Sequence, residues 1–325
     1  MVACRICANE SENNEIVARE MMFGFRDEFT YIICGRCGCL QIAHPPEDLS
    51  KYYPKNYWDF QLPRMNKVAE GPVSSWLRRQ RAEYWLTTDL HIVGKIAAMQ
   101  HVQPRHFGWL RRGGVRDFSA AILDVGCGLG DRLLTLRREG FTNLVGIDPF
   151  IGNDIHYQNG VRVLKLSVHE MDGAFDFITL HHSFEHMPDP LPTLQSLFRL
   201  VKPGHAVLIR IPVCGTNAWR TYGHNWVQLD APRHLFLHSI MSMQVLAKQA
   251  GFRLGDIVFD SEPLQFWGSE QYVRDIPLLD PRSYEVNPES SIFTREQIQQ
   301  YRQRAAQLNL AGDGDQACFY LVRDH

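Results

Sequence analysis

The chain has 325 residues, 45% of them apolar and 22% charged, an ordinary globular composition with enough length to bury a core without disulfide staples. Lys plus Arg number 34 against 36 Asp plus Glu, for a net charge of -2, which excludes a strongly basic nucleic-acid binder and a polyacidic tail protein. No apolar run approaches the ~18 residues of a membrane span, and the opening MVACRICANESENNE lacks the parts of an export signal, so a cytoplasmic protein is expected.

Three zones are expected, over 1–60, 61–118 and 119–325. The first holds five of the eight cysteines, namely Cys4, Cys7, Cys34, Cys37 and Cys39; Cys127, Cys214 and Cys318 follow later. Such crowding without an export signal points to a metal site rather than a disulfide scaffold. Cys4-x-x-Cys7 and Cys34-x-x-Cys37 are paired-thiolate knuckles, each followed by a small residue, Ala8 or Gly38, that lets backbone N–H groups face the sulfurs. Four thiolates make a closed, structural Zn²⁺ site. The 26 residues between the knuckles suffice for a hairpin, as in a zinc ribbon. Reduced thiols without metal are the plainer alternative, and Cys39 is a spare for Cys37. Tyr52, Tyr53, Tyr57 and Trp58 either pack this module onto the main domain or stack on a sugar or base face.

The second zone is richer in Arg and helix formers and reads as a helical connector. Arg78, Arg79, Arg81, Arg111 and Arg112 read first as the solvent side of helices. Contact with a nucleotide-sugar diphosphate or RNA is the alternative.

The third zone alternates strand-like and helix-like segments, the pattern of an open α/β sheet. Strands are expected over 121–125, 144–147, 161–166, 175–180, 206–211, 253–260 and 317–322. A helix over 131–139 is closed by Gly140. Leu191, Leu194, Leu197, Phe198 and Val201 keep helical spacing until Lys202-Pro203-Gly204. Ser239 caps a helix reaching 250, and Thr294 with Gln297 forms a capping box for another.

Between the first of these strands and the first helix lies Leu123-Asp124-Val125-Gly126-Cys127-Gly128-Leu129-Gly130. Glycines belong where the chain turns sharply and where a ligand approaches backbone N–H groups. The next strand ends at Asp148-Pro149, 18 residues after Gly130, where an acid can accept both hydroxyls of a ribose. The spacing is G-x-G-x-G rather than the dinucleotide G-x-G-x-x-G, and Asp131 stands where the third glycine would be. A carboxylate there repels a pyrophosphate. S-adenosylmethionine, with ribose, sulfonium, ammonium and one carboxylate, fits better, and Asp124 is placed to meet the ammonium.

The segments ILDVGCGLGD, LVGIDPF, FDFITLHHSFEHMPDP and LFRLVKPGHAVLIRIP resemble the successive signatures of class I S-adenosylmethionine-dependent methyltransferases over residues 119–260. The resemblance implies a Rossmann-like seven-stranded sheet with the last strand antiparallel. It implies Asp124, Gly126, Cys127, Gly128 and Gly130 around the methionine part, Asp148 and Pro149 at the ribose, Ser167, Val168 and His169 near the adenine, and His181 and His182 facing the methyl group. The run from Cys34 through His44-Pro-Pro-Glu-Asp to Tyr57 is similar to the zinc-bearing N-terminal region of bacterial methyltransferases of polysaccharide and deoxysugar pathways.

Methyl transfer is an in-line displacement that needs alignment, and a hydroxyl acceptor gains from a general base. His234 is the leading base, with Asp230 as its orienting partner, and His182 is second. His186 reads as structural, and Arg233 either binds a substrate anion or pairs with Asp230. The expected function is methyl transfer to a small-molecule or glycan acceptor, most simply a sugar or nucleotide-sugar hydroxyl. The alternatives are an RNA- or protein-modifying methyltransferase that uses the zinc module for recognition, and a non-catalytic adenosyl-ligand binding protein. The near-zero net charge argues against a nucleic-acid partner. Oligomeric state and the role of residues 261–293 are not legible.

Overall fold

The computed structural model describes residues 3–54, 71–87 and 91–325. Tyr57 and Trp58 lie outside the described residues. Strands β1 (Asn14–Arg19), β2 (Glu28–Ile33) and β3 (Leu40–Ile42) come first, then helices α1 (Pro72–Thr87), α2 (Ile92–Ala98) and α3 (Arg105–Arg112). The main sheet begins with β4 (Ile122–Val125), α4 (Asp131–Glu139), β5 (Leu144–Ile147), β6 (Ile155–His156), β7 (Arg162–Leu164), β8 (Phe175–His181), α5 (Pro190–Leu200) and β9 (Val201–Pro212). It continues through α6 (Asn217–Tyr222), β10 (Phe236–Leu237), α7 (Ile240–Gln249), β11 (Arg253–Phe259), α8 (Leu264–Val273), α9 (Arg295–Ala311) and β12 (Gln316–Val322).

The larger sheet runs β11-β12-β9-β8-β4-β5-β7-β6. Strands β7, β5, β4, β8 and β9 are parallel neighbours, and β12 lies antiparallel between β9 and β11. That makes eight strands among the described residues rather than the seven expected. The extra one is the two-residue β6, folded back antiparallel on β7. The strand expected from 206 begins at Val201, because Val201 already pairs with Phe175 and an irregularity in the register absorbs Pro203-Gly204. The Ser239 and Thr294 caps form as capping boxes.

From β4 the chain runs outward through β5 to β7 on one side, then returns from β7 to β8 on the other side of β4. An open α/β sheet binds ligands at such a switch point, beyond the carboxyl ends of the strands. The glycine loop leaves β4 there and His181-His182 ends β8 beside it.

The N-terminal strands form a second, antiparallel sheet β1-β2-β3-β10, so its fourth strand comes from residues 236–237. One apolar cluster runs from Cys4, Tyr31 and Leu40 to Leu123, Ile209 and Phe236, and the Tyr31 hydroxyl donates to the His234 carbonyl at 2.9 Å. The cysteine module is thus built into the wall of the site. The connector's arginines lie along protein surfaces: Arg79 over Phe118, Arg81 over Trp85, and Arg112 2.7 Å from Asp256. Among the described residues, no helix is long and apolar enough to cross a membrane.

Candidate active site

Gly126, Gly128 and Gly130 have φ of 69°, 54° and 85°, the left-handed region that glycine enters without strain. A Cβ on Gly126 would come 2.5 Å from Ser183 Cβ, so the loop is pressed against the exit of β8. The Gly128 N–H donates to Asp148 Oδ2 and the Phe150 N–H to Asp148 Oδ1, both at 2.9 Å. Asp148 therefore clamps the loop, and each of its oxygens keeps a second lone pair for a ribose hydroxyl. Exposed Pro149 makes the turn beside it. Ser167 is tied to Glu170 through its N–H and hydroxyl, and Val168 is buried. Cys127 packs against Gly146, whose Cβ would come 2.4 Å from the sulfur.

Asp124 is 2% exposed. Its Oδ1 accepts from Thr179 Oγ1 at 2.8 Å, whereas Oδ2 has no hydrogen-bond partner among the described residues. Burial holds this carboxyl above its usual range. An orphaned buried carboxylate oxygen is costly until a donor reaches it. His181 is in a similar state: its Nδ1 has no partner among the described residues and its ring lies 4.6 Å from that of Trp109. Burial depresses its pKa and keeps it neutral. Asp124, His181 and Trp109 line a cavity of about 270 Å³ beside the loop. The orphaned oxygen, the glycine cradle and the Asp148 clamp together fit the ammonium, backbone-facing edge and ribose of S-adenosylmethionine.

A larger cavity of about 670 Å³ adjoins the first, sharing His181, Asp131 and Arg132 with it, and is lined by Gly126, Gly128, His182, His186, Asp230 and His234. Asp148, Pro149, Ser167 and Val168 are not part of its lining. His234 Nδ1 lies 2.7 Å from the Gln228 carbonyl. A carbonyl can only accept, so Nδ1 carries the proton and Nε2 is left bare. Nε2 lies 3.8 Å from Asp230 Oδ2 and 3.9 Å from Glu185 Oε1. The expected orienting role thus falls to the Gln228 carbonyl, while Asp230 meets the opposite nitrogen. Both oxygens of Asp230 are held in the fork of Arg233, at 2.9 and 2.6 Å. Arg233 is fully buried and also reaches Glu20 at 3.0 Å, so a solvent anion is not its partner.

His182 sits at φ 51°, with Arg210 Nη1 2.7 Å from its Nε2 and Glu185 Oε1 3.3 Å from its Nδ1. Arginine only donates, so the Nε2 lone pair is already taken. Glu185 is buried beneath these histidines. Burial pushes its carboxyl up, but His182, His186 and His234 outweigh this and bring its pKa to about 2. His186 is held by the Arg233 carbonyl at 2.8 Å and touched by the Tyr53 hydroxyl at 3.2 Å. Tyr52 is buried against Asp27.

On the module, Cys4 and Cys37 Sγ are 3.6 Å apart and Cys7 and Cys34 Sγ 3.5 Å apart. The four sulfurs lie within 4.8 Å of one another. Tetrahedral Zn–S bonds of about 2.3 Å place sulfurs about 3.8 Å apart. The two knuckles are built alike: the Ala8 N–H donates to the Cys4 carbonyl and the Gly38 N–H to the Cys34 carbonyl, at 2.9 Å each. Ile6 N–H faces Cys4 Sγ and Cys37 N–H faces Cys34 Sγ, both at 3.4 Å. Cys39 is not a spare. Its thiol is fully buried away from the four and points to the Leu40 carbonyl.

A methyltransferase-domain family profile matches residues 97–257. The ubiquinone biosynthesis O-methyltransferase of Pseudomonas aeruginosa is 31% identical over 178 residues, covering 49% of this chain and 75% of that protein. The chain belongs to the S-adenosylmethionine-dependent methyltransferases. The protein of the same name from Cronobacter sakazakii is 30% identical over 151 residues, covering 42% of this chain and 59% of its own length. The chain spans little more than half the length of several curated relatives that it matches. Among solved structures, the cyclopropane synthase MmaA2 from Mycobacterium tuberculosis aligns at 17% identity and a TM-score of 0.38, over 62% of this chain and 78% of that one.

Several residues of this methyltransferase's cleft carried no sequence signal. Met22 comes from the hairpin turn of the module, Gln228 from a short turn, and Glu262, Leu264, Gln265 and Leu278 from the segment whose role was illegible. Trp109 and Arg210 are likewise brought together by packing, 5.5 Å apart. Glu185 was in view inside HHSFEH, and its spacing from His182 on one tight turn was the available clue.

Proposed function

We propose that the protein transfers a methyl group from S-adenosylmethionine to the hydroxyl of a small acceptor, a sugar or nucleotide sugar, bound in the 670 Å³ cavity. The observation that carries this is one cleft with the glycine loop on one wall and the bare Nε2 of His234 on the other. A cavity of this size suits a small ligand. The relatives named as O-methyltransferases support an oxygen acceptor.

When bound, S-adenosylmethionine supplies an electrophilic methyl on a sulfonium. Asp124 Oδ2 receives its ammonium, the glycine loop accommodates its body, and Asp148 holds its ribose. His181 forms the floor as a neutral ring. His234 Nε2 takes the acceptor's hydroxyl proton, held in place through Nδ1 by the Gln228 carbonyl. Alignment supplies most of the rate, and the base contributes about 10²–10⁴-fold. Isotope-labelled methyl donor with a panel of nucleotide sugars, and RNA as control, tests this. A labelled sugar product is expected; label in RNA alone would overturn the reading.

The thiols of Cys4, Cys7, Cys34 and Cys37 hold a structural Zn²⁺ that braces the module against β10. Acid release is expected to yield one zinc per chain from this site. Its removal by chelator is expected to lower the melting temperature sharply, because metal binding to such sites is folding free energy.

A further inference from the structure

The buried group beneath the acceptor cavity is over-supplied with ligand atoms. Glu185 is 0% exposed, and neither of its oxygens accepts a hydrogen bond among the described residues; the 3.3 Å approach of His182 Nδ1 is an ion-pair contact out of line for one. Glu185, His186 and His234 each bring one ligand atom within 4.8 Å of the others. Both imidazoles are fixed in the same way, His186 Nδ1 on the Arg233 carbonyl at 2.8 Å and His234 Nδ1 on the Gln228 carbonyl at 2.7 Å. Each therefore keeps its proton on Nδ1 and offers a lone pair at Nε2. The Tyr53 hydroxyl, 3.2 Å from His186 Nδ1, leaves Nε2 untouched. A backbone carbonyl behind the non-ligating nitrogen is how metal-bound histidines are commonly oriented.

The Glu185 carboxylate lies outside the Arg233 fork, which is taken up by Asp230 and Glu20. A buried carboxylate whose oxygens accept no hydrogen bond requires a partner, and a cation held jointly with the two imidazoles supplies one.

We propose that Glu185, His186 and His234 bind a divalent first-row transition-metal ion at the base of the acceptor cavity. Two imidazoles and a carboxylate suit Mn²⁺, Fe²⁺ or Zn²⁺ and leave coordination positions open. His186 and His234 line the cavity, so those open positions face the acceptor. This inference rests on the methyl-transfer reading and changes one role in it, the proton acceptor. A hydroxyl bound to the ion loses its proton more readily. The O–H bond breaks and the proton passes to cavity water. The oxygen lone pair forms the C–O bond while the methyl–sulfur bond breaks, and its electron pair stays on sulfur. His234 then serves as ligand, and proton acceptance moves from its Nε2 to water.

Mn²⁺ is the probe, because hard cations avoid the thiolate site. The full chain is titrated with Mn²⁺ and followed by its electron paramagnetic resonance signal, beside calorimetry with S-adenosylmethionine. One bound Mn²⁺ per chain is expected, weakened at least about tenfold in His234→Ala and in Glu185→Gln, and unchanged in the exposed-site control His224→Ala. The circular dichroism melt and the S-adenosylmethionine affinity of His234→Ala report whether that variant stays folded. Absence of any Mn²⁺, Co²⁺ or Zn²⁺ binding beyond the four thiolates overturns the ion. Equal Mn²⁺ affinity in wild type and His234→Ala overturns it too. In both cases turnover in chelator that is lost in His234→Ala would leave the methyl-transfer reading standing. Failure to bind S-adenosylmethionine would end that reading without altering the Mn²⁺ titration.

Discussion

The two walls of the cleft are made of different material. The loop side is backbone: three glycines at positive φ, N–H groups clamped by Asp148, and a carboxylate oxygen left open at Asp124. The acceptor side is buried side-chain charge, with Glu20, Arg233, Asp230 and Glu185 packed under three histidines. Backbone walls fail when atoms are added, because the interior is close-packed. Charged walls fail when a partner is removed, because the group left behind is buried and unpaired. Substitutions should therefore separate the two walls cleanly, one through ligand affinity and the other through turnover, stability and pH.

The largest effect is expected from His234→Ala, with kcat reduced about 10²–10⁴-fold and S-adenosylmethionine affinity by calorimetry nearly unchanged. A parallel loss of affinity would mean that the walls are not independent. Arg233→Met leaves Glu20 and Asp230 buried without a counter-charge, and urea unfolding should show a loss of about 3–5 kcal/mol. Gly126→Val sets a branched side chain at φ 69° with its Cβ 2.5 Å from Ser183 Cβ. Strain and overlap of about 3 kcal/mol should weaken S-adenosylmethionine about 100-fold, while the fold survives.

The smallest effect concerns acid. Burial depresses His106 and His238 from 6.5 to about 4. The unfolded chain therefore takes up their protons first as the pH falls. Their contribution is complete above about pH 6.5 and is lost toward pH 4. Each should cost about 2 kcal/mol between pH 7 and pH 5, read from urea midpoints at the two values. His238→Gln should remove about that much of the pH slope. An unchanged slope would mean that His238 is not the neutral, buried group described.

What could be read from the sequence follows the range of each interaction. The glycine loop, the cysteine knuckles and the Thr294 box are each written within about ten residues, so residue type and spacing convey them. Strand β10 is two residues long and joins a sheet begun two hundred positions earlier, and nothing local marks it. His234 was legible as a candidate, but its orientation depends on the Gln228 carbonyl and its neighbours on Glu185. Arg233 had its pairing with Asp230 in view, whereas Glu20 joins it across the whole fold. Cys39 looked equivalent to Cys37 because spacing does not say which way a thiol points.

The most direct test of the account is mass spectrometry of small-molecule products after incubation with methyl-labelled S-adenosylmethionine and a metabolite extract. A labelled, O-methylated sugar derivative is expected from the wild type, absent with Gly126→Val and strongly reduced with His234→Ala. A labelled product formed equally by His234→Ala, or no labelled small molecule at all from a chain that binds the donor, would contradict it.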